Sequence, residues 1–230
     1  MISLWLGSDF DGAFAQYVKV PQSEVFEVKC DWSAAELATI PCAYGTAENM
    51  IQRVEIRSGE KVLITGASGG VGSAAVQLAR LRKTQIIAVV GPEKQQKIMD
   101  LGAEQTIARD ENLVEVLGEE SVDVVIDLVA GAAFQTLLKV LKRGGRYVSA
   151  GAIGGPMVSF DTRTFYLKDL HLIGCTAWDE GIFQNLIAYL EDKRLRPLLA
   201  QTFPLEQIVE AQQEFLLKKH VGNFVLIPPN

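Results

Sequence analysis

Seven residues at 66–72, Gly-Ala-Ser-Gly-Gly-Val-Gly, are the stretch of this sequence best suited to chemistry. They follow the apolar run Val62-Leu63-Ile64 and precede Ser73-Ala74-Ala75-Val76-Gln77-Leu78-Ala79-Arg80, which opens a helix. A strand, a tight glycine turn and a helix, in that order, bring free backbone N–H groups at a helix N-terminus against an anion such as the pyrophosphate of a dinucleotide. The common spacing is G-x-G-x-x-G. Here its first glycine is replaced, giving Ala67-Ser68-Gly69-Gly70-Val71-Gly72. Gly69 lets the backbone approach the pyrophosphate, and Gly72 lets the helix pack closely on the strand. Glycine turns also serve plain helix–strand packing, so the setting between a strand and a helix is what favours a phosphate site.

A second determinant lies at the end of the next strand. NAD-specific sites usually place Asp or Glu about 20 residues beyond the glycine motif, on the ribose hydroxyls. This chain reads Val89-Val90-Gly91-Pro92 there, with Gly91 in the acid's place and Lys94 and Lys97 close behind. With no carboxylate to repel a 2′-phosphate, the pattern favours NADP(H) over NAD(H). Lys97 reads equally well as the solvated face of a helix, and Arg82 and Lys83 as surface charge. A methyltransferase also carries glycine turns, but tends to keep an acid at this strand end, so Gly91 argues against one.

These residues need a frame, and the pattern supplies it. Gln85–Val90 is a short β-branched run. Residues 93–101 read as a helix stopped by Gly102. Residues 122–129 form a strong buried strand, 132–142 a helix, 146–150 a strand after Gly144-Gly145, and 170–175 a last strand. Continuous apolar strands separated by helices indicate a parallel sheet covered on both faces, an α/β doubly wound (Rossmann) fold. In the flanks, residues 11–20 alternate like a strand, and Ser33 with Glu36 makes a capping box. Residues 182–194 and 205–219 read as amphipathic helices and 223–227 as a closing strand. The two flanks are expected to belong together, outside the doubly wound core.

The 230 residues suffice for one large or two small domains, at 48% hydrophobic and 22% charged. A net charge of −6 disfavours nucleic acid or an anionic membrane as a partner. No apolar run reaches the roughly 18 residues of a membrane span. Met1–Leu6 lacks the basic start and cleavage site of a signal peptide. Cys30, Cys42 and Cys175 do not form a disulfide pattern, and a reducing cytoplasm is the expected location.

In combination, Gly66-Ala67-Ser68-Gly69-Gly70-Val71-Gly72, Leu101-Gly102-Ala103, Asp127-Leu128-Val129-Ala130-Gly131 and Gly144-Gly145-Arg146-Tyr147-Val148 resemble the medium-chain dehydrogenase/reductase superfamily of zinc-type alcohol dehydrogenases and quinone oxidoreductases. The flanks agree. Residues 11–18 are similar to the segment closing the catalytic domain, 40–47 to the lead-in of the cofactor domain, and 220–226 to the C-terminal strand. The resemblance implies the end of a GroES-like catalytic domain at 1–45, a dinucleotide-binding domain at 46–177 and a return to the catalytic domain at 178–230. It places Thr46 near the nicotinamide and Ser68, Gly69, Gly70 and Val71 at the pyrophosphate. Gly91 and Lys94 fall by the adenosine ribose, Leu128 and Val129 beside the cofactor, and Gly151 and Ala152 around the nicotinamide. Asn223 stands where the family often has a lysine. The resemblance also implies a homodimer built on the strand at 170–175.

The resemblance implies hydride transfer to a carbonyl, quinone or activated alkene. The alternative is an NADP(H)-binding protein without its own turnover, because the long catalytic segment that precedes residue 1 in the family is not in this sequence. Cys42 matches a zinc ligand of zinc-type members, but no partner ligands accompany it. Zinc is therefore not expected, and Cys42 reads as a buried structural cysteine. His171 reads as a satisfied sheet residue and His220 as a favourable charge at a helix C-terminus. Tyr44 or Thr46 could donate to a developing oxyanion, with packing the preferred role for Tyr44.

Overall fold

The computed structural model describes residues 6–229. Met1–Trp5, most of the segment read above for a signal peptide, and Asn230 lie outside the described residues. In chain order the elements are α1 (Ala34–Leu37), α2 (Gly45–Arg53), β1 (Lys61–Ile64), α3 (Gly70–Leu81), β2 (Gln85–Val90), α4 (Gln95–Leu101), β3 (Gln105–Ala108), α5 (Leu113–Leu117) and β4 (Val122–Asp127). They continue with α6 (Phe134–Val140), β5 (Leu141–Ser149), α7 (Thr162–Tyr166), β6 (His171–Gly174), α8 (Ile182–Glu191), β7 (Leu199–Pro204), α9 (Ile208–Leu216) and β8 (Asn223–Ile227).

Six strands form one parallel sheet in the order β3-β2-β1-β4-β5-β6. The chain winds outward from β1 in one direction and from β4 in the other, so a topological switch point falls between these two neighbours. Burial explains why the strands read as continuous apolar runs. Val62 and Ile64 face one core with Ile86, Ala88 and Val124, under α2, α3 and α8. Leu63 and Ile87 face the other with Ile107, Val125 and Leu137. Each such Val, Leu or Ile side chain contributes about 1.5–3 kcal/mol by leaving water. Val122 and Val124 share parity yet face opposite cores, because the register with β5 shifts between them. The same irregularity absorbs Gly144-Gly145, so β5 begins at Leu141 and the glycine pair lies within it, not ahead of it.

The local signals hold where their partners are close in sequence. Ser33 Oγ accepts from the Glu36 N–H at 3.3 Å, and a Glu36 carboxylate oxygen accepts from the Ser33 N–H at 2.9 Å. Gly102 ends α4 at φ +123°. Residues 11–20 form no strand: Phe14 is 69% and Tyr17 90% exposed. An alternating segment with no strand beside it has nothing to pair with. The flanks do touch. Phe26 stacks on Phe183 with centroids 5.2 Å apart, the Lys29 N–H donates to Glu191 at 2.8 Å, and Lys193 pairs with Asp31 at 2.9 Å. β7 and β8 make a separate parallel pair.

Candidate functional site

The glycine turn sits where β1 runs into α3. Gly66 takes φ +60°, a left-handed conformation that favours glycine. The Gly69 N–H closes back on the Gly66 carbonyl at 3.1 Å. A Cβ on Gly72 would strike the Gly66 carbonyl oxygen and come within 2.7 Å of the Ala67 Cα, so only glycine allows α3 to lie this close to the strand end. The first bond into the helix runs from the Ser73 N–H to the Gly69 carbonyl at 2.9 Å. The amides of Gly70, Val71 and Gly72 are left without helical acceptors, at the positive end of a twelve-residue helix.

Across the switch point stands the turn after β4, and the two turns touch: a Gly66 Cβ would lie 3.2 Å from Val129 Cγ2. The turn is held by Asp127, which is fully buried. Its carboxylate accepts from the Thr65 hydroxyl at 2.5 Å, from the Tyr147 hydroxyl at 2.5 Å, and from the N–H groups of Val129 and Ala130 at 3.0 and 3.1 Å. The Leu128 N–H donates to Thr65 Oγ1 at 3.0 Å. Burial, reinforced by this carboxylate, holds the Tyr147 hydroxyl well above the usual tyrosine range. The Gly154 N–H donates to the Val129 carbonyl at 2.7 Å, and a Gly151 Cβ would stand 3.0 Å from the Leu128 carbonyl oxygen. Leu128, Val129 and the loop opening with Gly151 and Ala152 therefore form one packed rim. Thr65 and Tyr147 were not singled out from the sequence; the signal available was a carboxylate directly after the apolar run Val124-Val125-Ile126.

The ribose end departs from expectation. Gly91 ends β2, but the Glu93 carboxylate folds back so that its oxygens lie 2.7 and 2.9 Å from where a Gly91 Cβ would project. A carboxylate is thus present, two residues on from the usual slot. Lys94 is buried, and its ammonium donates to the Lys218 carbonyl and lies 3.5 Å from Ser68 Oγ. Burial lowers its pKa; Glu93 opposes that shift, and Arg109, Lys218 and Lys97 add to it.

The chain's far end completes the outer side of the turn. The Gly222 N–H donates to the Ser68 carbonyl at 3.1 Å. Asn223 lies so close over Gly70 that a Cβ there would meet its side chain, with Asn223 Nδ2 buried and unpartnered. An orphan donor beside three open helix amides suits phosphate oxygens, so the residues present fit a dinucleotide's pyrophosphate. His220 is not a charge capping a helix end. Its ring packs 4.3 Å from Phe224 and 4.7 Å from Phe215, and burial, then Lys94 and Lys218, push its pKa down.

The remaining residues separate. Thr46 is half-buried in the first turn of α2, which packs on α3, and its hydroxyl makes no hydrogen bond among the described residues. Tyr44 is structural: its hydroxyl donates to the Arg196 carbonyl at 2.7 Å and accepts from the Leu198 N–H at 3.1 Å and Gln77 at 3.2 Å. Cys42 is exposed, contrary to expectation. In the turn Ile40–Tyr44 the core takes Ile40, Ala43 and Tyr44, which leaves Cys42 on the outer side. His171 is also exposed, because β6 is the sheet's edge strand. Among the described residues no three His, Cys, Asp or Glu side chains gather to hold a metal.

A profile of the family described as zinc-binding dehydrogenase matches residues 70–192. The acryloyl-coenzyme A reductase of Metallosphaera sedula is 31% identical over 97% of this chain and 67% of its own length. The crystal structure of a candidate alcohol dehydrogenase from Sinorhizobium meliloti 1021 superposes with TM-score 0.93 at 43% identity, covering 98% of this chain and 64% of that one. The 2-octenoyl-CoA carboxylase reductase CinF, solved with NADP and 2-octenoyl-CoA, superposes with TM-score 0.82 at 26% identity, covering 90% of this chain and 53% of that one. The chain thus spans about two thirds or less of the length of these relatives. With its glycine turn at the switch point of a six-stranded parallel sheet, this chain belongs to the zinc-binding dehydrogenase family, within the medium-chain dehydrogenase/reductase superfamily of alcohol dehydrogenases and quinone oxidoreductases.

Proposed function

We propose that the chain binds NADP(H) in the crevice between the ends of β1 and β4 and serves hydride transfer to a carbonyl, a quinone or an activated alkene. The observation that carries this reading is the set of open amides at the start of α3, facing the turn braced by Asp127 across the switch point. The bound nicotinamide supplies the hydride chemistry. Ser68, Gly69, Gly70 and Val71 take the pyrophosphate, with Asn223 beside them. Gly91 and Lys94 border the adenosine ribose, Leu128 and Val129 pass along the cofactor, and Gly151, Ala152 and Thr46 border the nicotinamide. Residues 46–177 form the dinucleotide-binding domain, 1–45 the end of a GroES-like domain and 178–230 the return to it. Among acceptors, the likeness to an acryloyl-coenzyme A reductase and to a 2-octenoyl-CoA carboxylase reductase solved with 2-octenoyl-CoA supports an activated alkene. A homodimer through β6 and a cytoplasmic location complete the proposal.

A second reading, NADP(H) binding without turnover, draws on Tyr44. Its hydroxyl is fully engaged and cannot serve a developing oxyanion, which leaves only Thr46 of the two donors considered. Fluorescence titration with NADPH and NADH, followed by NADPH oxidation over a panel of quinones and 2-enoyl thioesters, tests both readings. Tighter NADPH binding with turnover supports the first, binding without turnover the second, and binding of neither dinucleotide refutes both.

A further inference from the structure

We propose that Arg109 is the residue through which this chain distinguishes a 2′-phosphate from a 2′-hydroxyl on the adenosine ribose, and that Glu93 works against it. This rests on the dinucleotide reading above.

The geometry begins with strand register. β2 and β3 are parallel neighbours with Val90 opposite Ala108, the last residue of each strand. Gly91 and Arg109 are therefore the first residues to leave the sheet, side by side, at the edge where the glycine turn opens. Gly91 has no side chain to fill the space between them. Arg109 is exposed, and its guanidinium makes no hydrogen bond or ion pair among the described residues. An unengaged planar fork of N–H donors is the side chain best matched to a phosphate.

The other cations are less suited to reading the ribose. Lys94 is buried and committed to the Lys218 carbonyl, so it ties α4 to the C-terminal segment. Lys97 is exposed a turn further on. Arg109, Lys97 and Lys218 all lie near enough to repel the Lys94 charge, so four cations share this corner of a chain whose net charge is −6. Two acids face them. Glu111 accepts from the Ala108 N–H at 2.6 Å, which occupies it locally. Glu93 overhangs Gly91 and lies 3.9 Å from the Lys94 ammonium, with 61% of its side chain exposed. An incoming 2′-phosphate relieves the repulsion among the cations and is opposed by Glu93, the acid that overhangs Gly91; ribose hydroxyls can hydrogen-bond to Glu93.

The test compares NADPH, NADH, 2′,5′-ADP and 5′-AMP by titration calorimetry on the full chain, for wild type, Arg109→Gln, Arg109→Lys and Glu93→Gln. Arg109→Gln should weaken NADPH and 2′,5′-ADP by about tenfold, the scale of one charge-assisted phosphate contact, while NADH and 5′-AMP stay within about twofold. Arg109→Lys should recover part of the loss. Glu93→Gln should tighten NADPH by about threefold and weaken NADH. Because both side chains are exposed, unchanged melting temperatures will show that the variants fold. An Arg109→Gln protein that binds NADPH as well as wild type, or that loses NADPH and NADH equally, overturns the assignment. So does a wild type that binds NADH but not NADPH, although the dinucleotide site then stands. Binding of neither dinucleotide by wild type refutes the site itself.

Discussion

Gly222 donates its N–H to the Ser68 carbonyl at 3.1 Å, so a residue from the far end of the chain closes the outer side of the glycine turn. That bond sets the neighbouring Asn223 side chain over Gly70, at the positive end of α3.

The position of Asn223 gives a charge test of the pyrophosphate site. Asn223→Asp puts a carboxylate beside the anion and should weaken NADPH and NADH together, by about tenfold, as like charges in a partly buried setting require. Asn223→Lys should tighten both. Titration of each dinucleotide reads the effect, and an unchanged affinity in Asn223→Asp would remove the pyrophosphate from this corner.

Gly72 tests the turn itself. A side chain there meets backbone, the Gly66 carbonyl and the Ala67 Cα, and no rotamer change can clear it. Gly72→Val should cost about 1–3 kcal/mol or more of stability through overpacking and abolish dinucleotide binding. Chemical denaturation and fluorescence titration measure the two effects, and a variant that binds NADPH normally places the site elsewhere.

Tyr147 tests the brace beneath the β4 turn. Tyr147→Phe deletes the donor at 2.5 Å from Asp127 and leaves the amide of Ala130 on that oxygen. The expected cost is about 1–3 kcal/mol, measured by urea denaturation. The wild type also carries a pH signature. Burial raises the hydroxyl pKa of Tyr147 and of Tyr44 in the folded state, so the folded chain holds protons that the unfolded chain releases above pH about 10. This stability is fully present below that pH and is lost as pH rises beyond it. The alkaline loss should be smaller in Tyr147→Phe, and equal pH profiles would show that Tyr147 titrates normally.

The edge strand gives a prediction about assembly. Leu172 is partly exposed on β6, whose outer edge has no partner strand among the described residues. Analytical ultracentrifugation should show a dimer, and Leu172→Lys, placing a charge on the edge strand, should shift it toward monomer. Only monomer at high concentration of the wild type counts against the edge as an interface.

The sequence was most readable where a signal is local. Apolar runs marked β2, β4 and β6, Ser33 and Glu36 marked their helix start, and glycines marked the turn at 66–72. β3 and β7 escaped because polar residues interrupt their apolar pattern, Gln105 and Thr106 in one and Gln201 and Thr202 in the other. Residues 11–20 misled because alternation describes a strand's faces but cannot supply its neighbour. Long-range features were not readable: Thr65, Asp127 and Tyr147 meet only because β1, β4 and β5 are adjacent. Glu93 was missed for a different reason, since its carboxylate reaches Gly91 through a side-chain fold that spacing does not reveal.

The Asp127 contacts have a mechanical consequence. At a switch point the connections leave two neighbouring strands in opposite directions, so no single helix spans the gap above them. Thr65, Asp127 and Tyr147 act there as a crosstie, joining three parallel strands by bonds at right angles to their run. The floor of the crevice is thereby stitched by side chains where the backbone ladders of β1, β4 and β5 end, beyond what the pairing of the strands alone supplies.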